Sequence, residues 1–313
     1  MNPIIYRFGS AITILLLPLV LSSQSTISLY PEGIPCANAL PETTEQNEYM
    51  GTFVTSVHEP LLVHYAPVPQ ISTGASVMVV PGGGYTVLAW SHEGEDIARR
   101  LTTEGLHVFV LRYRLPRHES PECRSVVALA DAQRGVKTIR LLADSLGLNH
   151  ERVAVLGFSA GGHLAGSAAV HAAPPDLDSD VPAEAFSSRP NLSVLVYPVL
   201  IMEDGPAAHQ GSINALLGPK PWPEEALARY NLPARVHPDV PSTMLIHAGD
   251  DTVVPVENSL RYYAALKAND VPAELRVYAK GGHGFGSAAQ TDLPAKGWLP
   301  DVVTWFQSHG WVR

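Results

Sequence analysis

Short apolar runs rich in β-branched residues alternate with amphipathic stretches from residue 59 onward, and this alternation constrains the fold more than any other feature of the chain. Ser76–Val80 (SVMVV), Leu106–Leu111 (LHVFVL), Arg152–Leu156 (RVAVL), Leu192–Val196, Thr243–His247 and Leu275–Tyr278 read as strands. Helical spacing covers Ala89–Thr103, with Ile97 and Leu101 on one face, and Val126–Leu146. Further helices start at about Ala160 and near Val256, and Val302–Ser308 reads as a closing helix. Strands and helices in this order form βαβ units around a mostly parallel sheet covered on both faces. Such strands are buried on both sides, so they read as continuous apolar runs, as these do. There is no internal repeat. Residues 24–50 are polar and Pro-containing and read as an irregular lead-in. Pro174–Pro190 and Gly205–Pro241 read as insertions, expected over the carboxyl ends of the strands, where ligands bind in such sheets.

With 46% hydrophobic and 16% charged residues in 313, the chain can bury a large core and is not of disordered composition. A formal net charge of −9, with Lys and Arg scattered, argues against a nucleic-acid partner, and no basic run suggests an anionic-membrane patch. Near the start, Arg7 precedes the apolar run Ala11–Leu21 (AITILLLPLVL), followed by Ser22, Ser23 and Ser25. That run is too short for a span and contains Pro18, so it predicts a cleaved export signal over residues 1–24. The mature chain, residues 25–313, is then expected to be one exported domain with no stable membrane insertion. Export permits a disulfide between Cys36 and Cys123, but two free thiols satisfy the sequence equally well.

The strongest chemical signal is Gly157-Phe158-Ser159-Ala160-Gly161-Gly162, a G-x-S-x-G turn with a strand running into it and a small-residue helix leaving it. Small neighbours are needed because the serine of such an elbow sits in a tight turn that lifts its hydroxyl to the top of the sheet. A phosphate loop would instead carry Gly-Lys-Ser/Thr, which is missing. A serine needs a base and an orienting acid, following it in the order Ser, Asp or Glu, His. Asp250 and Asp251 both lie just after the Thr243–His247 run. The next loop, Gly281-Gly282-His283-Gly284-Phe285-Gly286, flanks one histidine with glycines that let its ring approach Ser159. His163 and His247 read as packing or local bonding. Pro81-Gly82-Gly83-Gly84-Tyr85 ends the Ser76–Val80 run, where consecutive glycines let N–H groups converge on an oxyanion, with the N–H of Ala160 as a second contributor.

These segments give the chain its resemblance. It resembles the α/β-hydrolase esterases related to hormone-sensitive lipase, and more closely the bacterial acetyl-xylan-esterase-like proteins. The matching stretches include VPGGGYTVLAWSHEGEDIARRL, DAQRGVKTIR, GFSAGGHLA, RPNLSVLVYPV, HAGDDTVVPVENSLRYYAAL and VPAELRVYAKGGHGFG, spanning roughly Val80 to Gly286. The resemblance implies the α/β-hydrolase fold, Ser159, Asp251 and His283 as the triad, and Gly83, Gly84 and Ala160 as oxyanion donors. It implies no metal or organic cofactor, and a small-molecule or oligosaccharide ester as substrate, with acetyl groups on xylan-type saccharides foremost. Asp251 stands where the family's acid precedes x-x-Val-Pro, here Thr252-Val253-Val254-Pro255. Pro81 departs from the histidine that leads the wider HGGG pattern. Tyr85, beside the donor loop, is expected to contact substrate. A general small-acyl carboxylesterase or arylformamidase-like hydrolase is the enzymatic alternative. A catalytically inactive binding protein on the same fold is the alternative from another class, and it would normally lack a triad member.

Overall fold

The computed structural model describes residues 24–38, 40–289 and 291–313; the expected export signal lies outside the described residues, apart from Gln24. The strands are β1 (Gln24–Ser28), β2 (Thr43–Asn47), β3 (Gly51–Ser56), β4 (Leu61–Tyr65), β5 (Ser76–Val80), β6 (His107–Arg112), β7 (Val153–Phe158), β8 (Leu192–Val196), β9 (Ser242–Ala248) and β10 (Ala273–Tyr278). The helices are α1 (Asp96–Thr102), α2 (Pro121–Arg124), α3 (Val127–Leu141), α4 (Ala143–Leu146), α5 (Ser159–Val170), α6 (Gln210–Leu217), α7 (Glu224–Tyr230), α8 (Glu257–Ala268) and α9 (Trp298–Ser308). A π-helical stretch, Trp90–Glu95, leads into α1.

Eight strands form one sheet in the order β1-β4-β6-β5-β7-β8-β9-β10. It is parallel from β6 to β10, with β4 and β1 added antiparallel at one edge. Along β5 successive side chains alternate between two cores. Met78 and Val80 join Ala132, Val136 and Leu164 beneath α3 and α5, while Val77 and Val79 join Ile97, Leu101, Val302 and Phe306 beneath α1 and α9. Fully burying each such side chain is worth about 1.5–3 kcal/mol, so both faces of the strand must be apolar. The chain leaves β5 for β6 on one side and returns past it to β7 on the other. The connections therefore diverge at the carboxyl ends of β5 and β7, the place where ligands bind in such sheets.

Two expectations are corrected. The polar lead-in is partly strand: β1 pairs with β4, and β2 forms a hairpin with β3. These segments lie at or outside the sheet edge, where burial demands few apolar residues and long-range pairing overrides local propensity. The Pro174–Pro190 insertion lies at the amino ends of the strands, because α5 returns the chain there before β8 begins. Asn191 N–H donates to Val153 O at 2.7 Å, and Arg140 bonds both His150 O and Arg189 O. Gly205–Pro241 does begin beyond the carboxyl end of β8. The cysteines are paired: Cys36–Cys123 ties the segment after β1 to α2. No described helix is long and apolar enough to cross a membrane.

Buried imidazoles make the fold acid-sensitive. His163 is fully enclosed, with Nδ1 2.7 Å from the Tyr85 hydroxyl and Nε2 2.9 Å from Tyr230 O. Burial pushes its pKa down to about 4. His64, 3.0 Å from His107, is likewise lowered to about 4, by burial and then by that neighbour. The unfolded chain binds these protons near pH 6.5, so between pH 6.5 and 4 it holds more protons than the native state. Stability is thus complete above pH 6.5 and falls as the pH drops toward 4, by on the order of 3 kcal/mol for His163. Urea titrations across this range are expected to show the loss, with a shallower slope in His163→Gln. A slope identical to wild type would remove His163 from the effect.

Candidate active site

Ser159 opens α5 directly after β7, with φ at 51°, a left-handed conformation that a non-glycine residue adopts only under constraint. The constraint is visible around it. A Cβ on Gly161 would lie 2.3 Å from the carbonyl oxygens of both Val80 and Pro81, and one on Gly82 would lie 2.9 Å from Ser159 Cβ. The end of β5 and the first turn of α5 therefore touch backbone to backbone, which brings the glycine loop beside the serine. The N-terminal end of α5 adds its partial positive charge there.

Ser159 Oγ is 2.9 Å from His283 Nε2, and His283 Nδ1 is 2.7 Å from Asp251 Oδ2. Asp251 accepts on its other oxygen from Val253 N–H and Val254 N–H, both at 2.9 Å. The buried His247 stands 3.3 Å from Asp251 Oδ2, with its Nε2 also 2.9 Å from Val254 O and its Nδ1 2.8 Å from Ser259 Oγ. Burial pushes the Asp251 carboxyl up. The hydrogen bonds from His247, His283 and Val254 N–H, with the charge of His283, outweigh it and hold the group well below the usual carboxylate range.

The structure thus brings Ser159, Asp251 and His283 together beyond the carboxyl ends of the strands. Gly83 and Gly84 turn with φ of 123° and 64° on the same loop, and among the described residues no backbone or side-chain acceptor is bonded to their N–H groups or to that of Ala160. Gly82 differs. Its N–H donates to Glu93 Oε2 at 2.7 Å and its carbonyl accepts from Ala89 N–H at 2.9 Å, so it anchors the loop. Tyr85 is not placed to meet a substrate: its backbone at φ 60° turns the ring inward, where it is 1% exposed and bonded to His163.

The other aspartate that the sequence offered after the Thr243–His247 run has partners of its own. Asp250 accepts from Gly281 N–H and Gly282 N–H at 2.9 and 2.8 Å, which ties down the loop carrying His283. Tyr197, directly after β8, packs on the His283 ring in a tilted edge-type contact with centroids 5.1 Å apart. Asn258 fixes the start of the second insertion by accepting from Leu200 N–H and Ile201 N–H. His209 caps α6 close enough to feel His283; burial and then that neighbour lower its pKa. Tyr197, Asn258 and His209 escaped the sequence reading, because their local sequence carries no motif and only contacts across the chain reveal them. Among the described residues no group of three or more His, Cys, Asp or Glu is arranged to hold a metal ion.

Residues 64–266 match the family model described as BD-FAE. The chain is 31% identical over 244 residues to an acetylxylan esterase of Xylanibacter ruminicola, covering 77% of this chain and 44% of that one. It is 35% identical over 216 residues to endo-1,4-beta-xylanase B of Butyrivibrio fibrisolvens, covering 67% and 32%. It therefore spans less than half the length of either relative. Over nearly full length it is similar to the acetyl ester-xyloside bifunctional hydrolase of Caldicellulosiruptor lactoaceticus, with a TM-score of 0.80, 34% identity, and coverage of 92% of this chain and 97% of that one.

Proposed function

The chain belongs to the BD-FAE family, with the α/β-hydrolase fold, and from that premise we propose that it is a serine carboxylic-ester hydrolase that removes acetyl groups from xylan-type saccharides. The observation that carries this reading is the relay from Asp251 through His283 to Ser159, at 2.7 and 2.9 Å, ending beside unbonded N–H groups. The acetyl and saccharide parts rest on the acetylxylan esterase and the acetyl ester-xyloside hydrolase to which the chain is similar.

In this mechanism His283 Nε2 takes the Ser159 proton as Oγ attacks the ester carbonyl. The N–H groups of Gly83, Gly84 and Ala160 hold the oxyanion. His283 then passes its proton to the departing sugar oxygen, which leaves acetyl on Ser159. Water, deprotonated by the same imidazole, attacks the acyl-enzyme; the bond to Oγ then breaks, acetate leaves, and His283 returns the proton to Ser159 Oγ. Asp251 keeps the proton of neutral His283 on Nδ1, so that Nε2 is free to act as base.

Acetate release from acetylated xylan, xyloglucan and pectin, beside aryl esters of increasing chain length and an aryl xyloside, tests the proposal. Acetylated xylan and aryl acetate are expected to turn over at least about tenfold faster than aryl octanoate, a difference of about 1.4 kcal/mol in barrier. Faster turnover of octanoate would favour a lipase-like enzyme. Cleavage of the xyloside would require a carboxylate pair around the glycosidic bond. Here Asp251 is engaged by His283 and Glu93 by Gly82 and Tyr197. Export belongs to the same proposal and draws support from the Cys36–Cys123 disulfide, a bond that persists in oxidising compartments.

A further inference from the structure

Glu93 lies in the π-helical stretch before α1 and is 3% exposed. Among the described residues its one ion-pair partner is His92, whose Nε2 stands 3.8 Å from Oε1. A carboxylate buried without a close cation is costly unless hydrogen bonds compensate it. The bonds it makes reach two different loops. Oε2 accepts from Gly82 N–H at 2.7 Å, and Oε1 accepts from the Tyr197 hydroxyl at 2.9 Å. The same hydroxyl accepts from Gly286 N–H at 3.0 Å, at the far end of the loop that carries His283. Tyr197 itself is held at φ 37° while its ring packs on both His283 and Phe285.

One continuous chain of hydrogen bonds therefore runs from the glycine loop through Glu93 and Tyr197 to the histidine loop. A π-helical turn, a rare conformation that is frequent at functional sites, carries Glu93. Phenylalanine would fill the place of Tyr197 equally well, but it would leave Gly286 N–H and Glu93 Oε1 without this partner. Resting on the esterase reading above, we propose that Glu93 and Tyr197 are positioning residues that set the oxyanion donors and His283 at a fixed separation. Neither makes a hydrogen bond to Ser159 Oγ or to the His283 ring nitrogens. Each acts because a displacement of about 1 Å between donors and base can cost on the order of 100-fold in rate.

Tyr197→Phe and Glu93→Gln test the inference singly and together, on an aryl acetate. Glutamine keeps one acceptor for Gly82 N–H but turns an NH₂ toward the Tyr197 hydroxyl, which then must accept from it in competition with Gly286 N–H and loses the acceptor for its own proton. Each single variant is expected to lower kcat by about 10- to 100-fold with KM within about threefold of wild type. The double variant is expected to be no worse than the poorer single, because one connection has been cut twice. Single variants that keep kcat within twofold of wild type while their melting temperatures fall would make the network merely structural. Effects that multiply in the double variant would make the two residues independent. Either result overturns the proposal. Tyr197→Phe alone decides the first point if Glu93→Gln does not fold. A wild-type protein that neither turns over esters nor is labelled by a fluorophosphonate would instead sink the esterase reading.

Discussion

Ser159→Ala is expected to lower acetyl-ester turnover by on the order of 10⁴-fold or more, leaving the protein folded. The size follows from what is removed. Without Oγ no acyl-enzyme forms, and His283 Nε2 loses the hydroxyl now 2.9 Å away. The N–H groups of Gly83, Gly84 and Ala160 that we propose hold the oxyanion stay in place, so weak hydrolysis by water is expected to remain. Stability should barely change, because alanine keeps the Cβ and meets the same strain at φ 51°. The cost should stay within about 1 kcal/mol, the usual range for a substitution that leaves no large cavity. Acetate release, fluorophosphonate labelling and thermal unfolding of one preparation check all three points. Turnover close to wild type in a folded, uncontaminated variant would remove Ser159 from the mechanism.

What could be read from the sequence follows the reach of the interactions. Ser76–Val80 is buried on both faces, and its run of apolar residues marks the strand at both ends. The elbow is also local, since strand, tight turn and helix follow one another around Ser159. Legibility fails where distant partners decide. Polar β1 is a strand because β4 offers it an edge, and Cys36 meets Cys123 across 87 residues. Glu93 and Tyr197, 104 residues apart, share no motif. Tyr85 misleads for a different reason: a substrate role fits its place in the chain, but the positive φ at that position sends the ring into the core. The misplaced Pro174–Pro190 insertion was open to reasoning, since a helix that leaves the carboxyl end of one parallel strand must return to the amino end of the next.

Adjacent aspartates give the sharpest contrast. Asp251→Asn is expected to cut turnover by up to about 10⁴-fold with the fold intact, and Asp250→Asn by less than about tenfold. Asp251 Oδ1 accepts two N–H groups, from Val253 and Val254, while Oδ2 faces His283 Nδ1. An asparagine at 251 must keep its carbonyl oxygen toward the two N–H donors, which turns its NH₂ toward the imidazole. His283 then accepts at Nδ1 and carries its proton on Nε2, so it can no longer take one from Ser159. Asp250 meets a different demand. Its Oδ1 accepts from Gly281 N–H and Gly282 N–H, bonds that lower its pKa, Gly282 foremost. An asparagine there can keep its oxygen on both donors and turn its NH₂ toward solvent, so the loop holding His283 stays anchored. Asp250→Ala removes the acceptor altogether and should lower kcat more than Asp250→Asn does. Steady-state kinetics of the three variants, with thermal unfolding as the control for folding, would separate the roles. Loss of activity in Asp250→Asn with activity kept in Asp251→Asn would reverse the assignment, since only the orienting acid must remain a carboxylate.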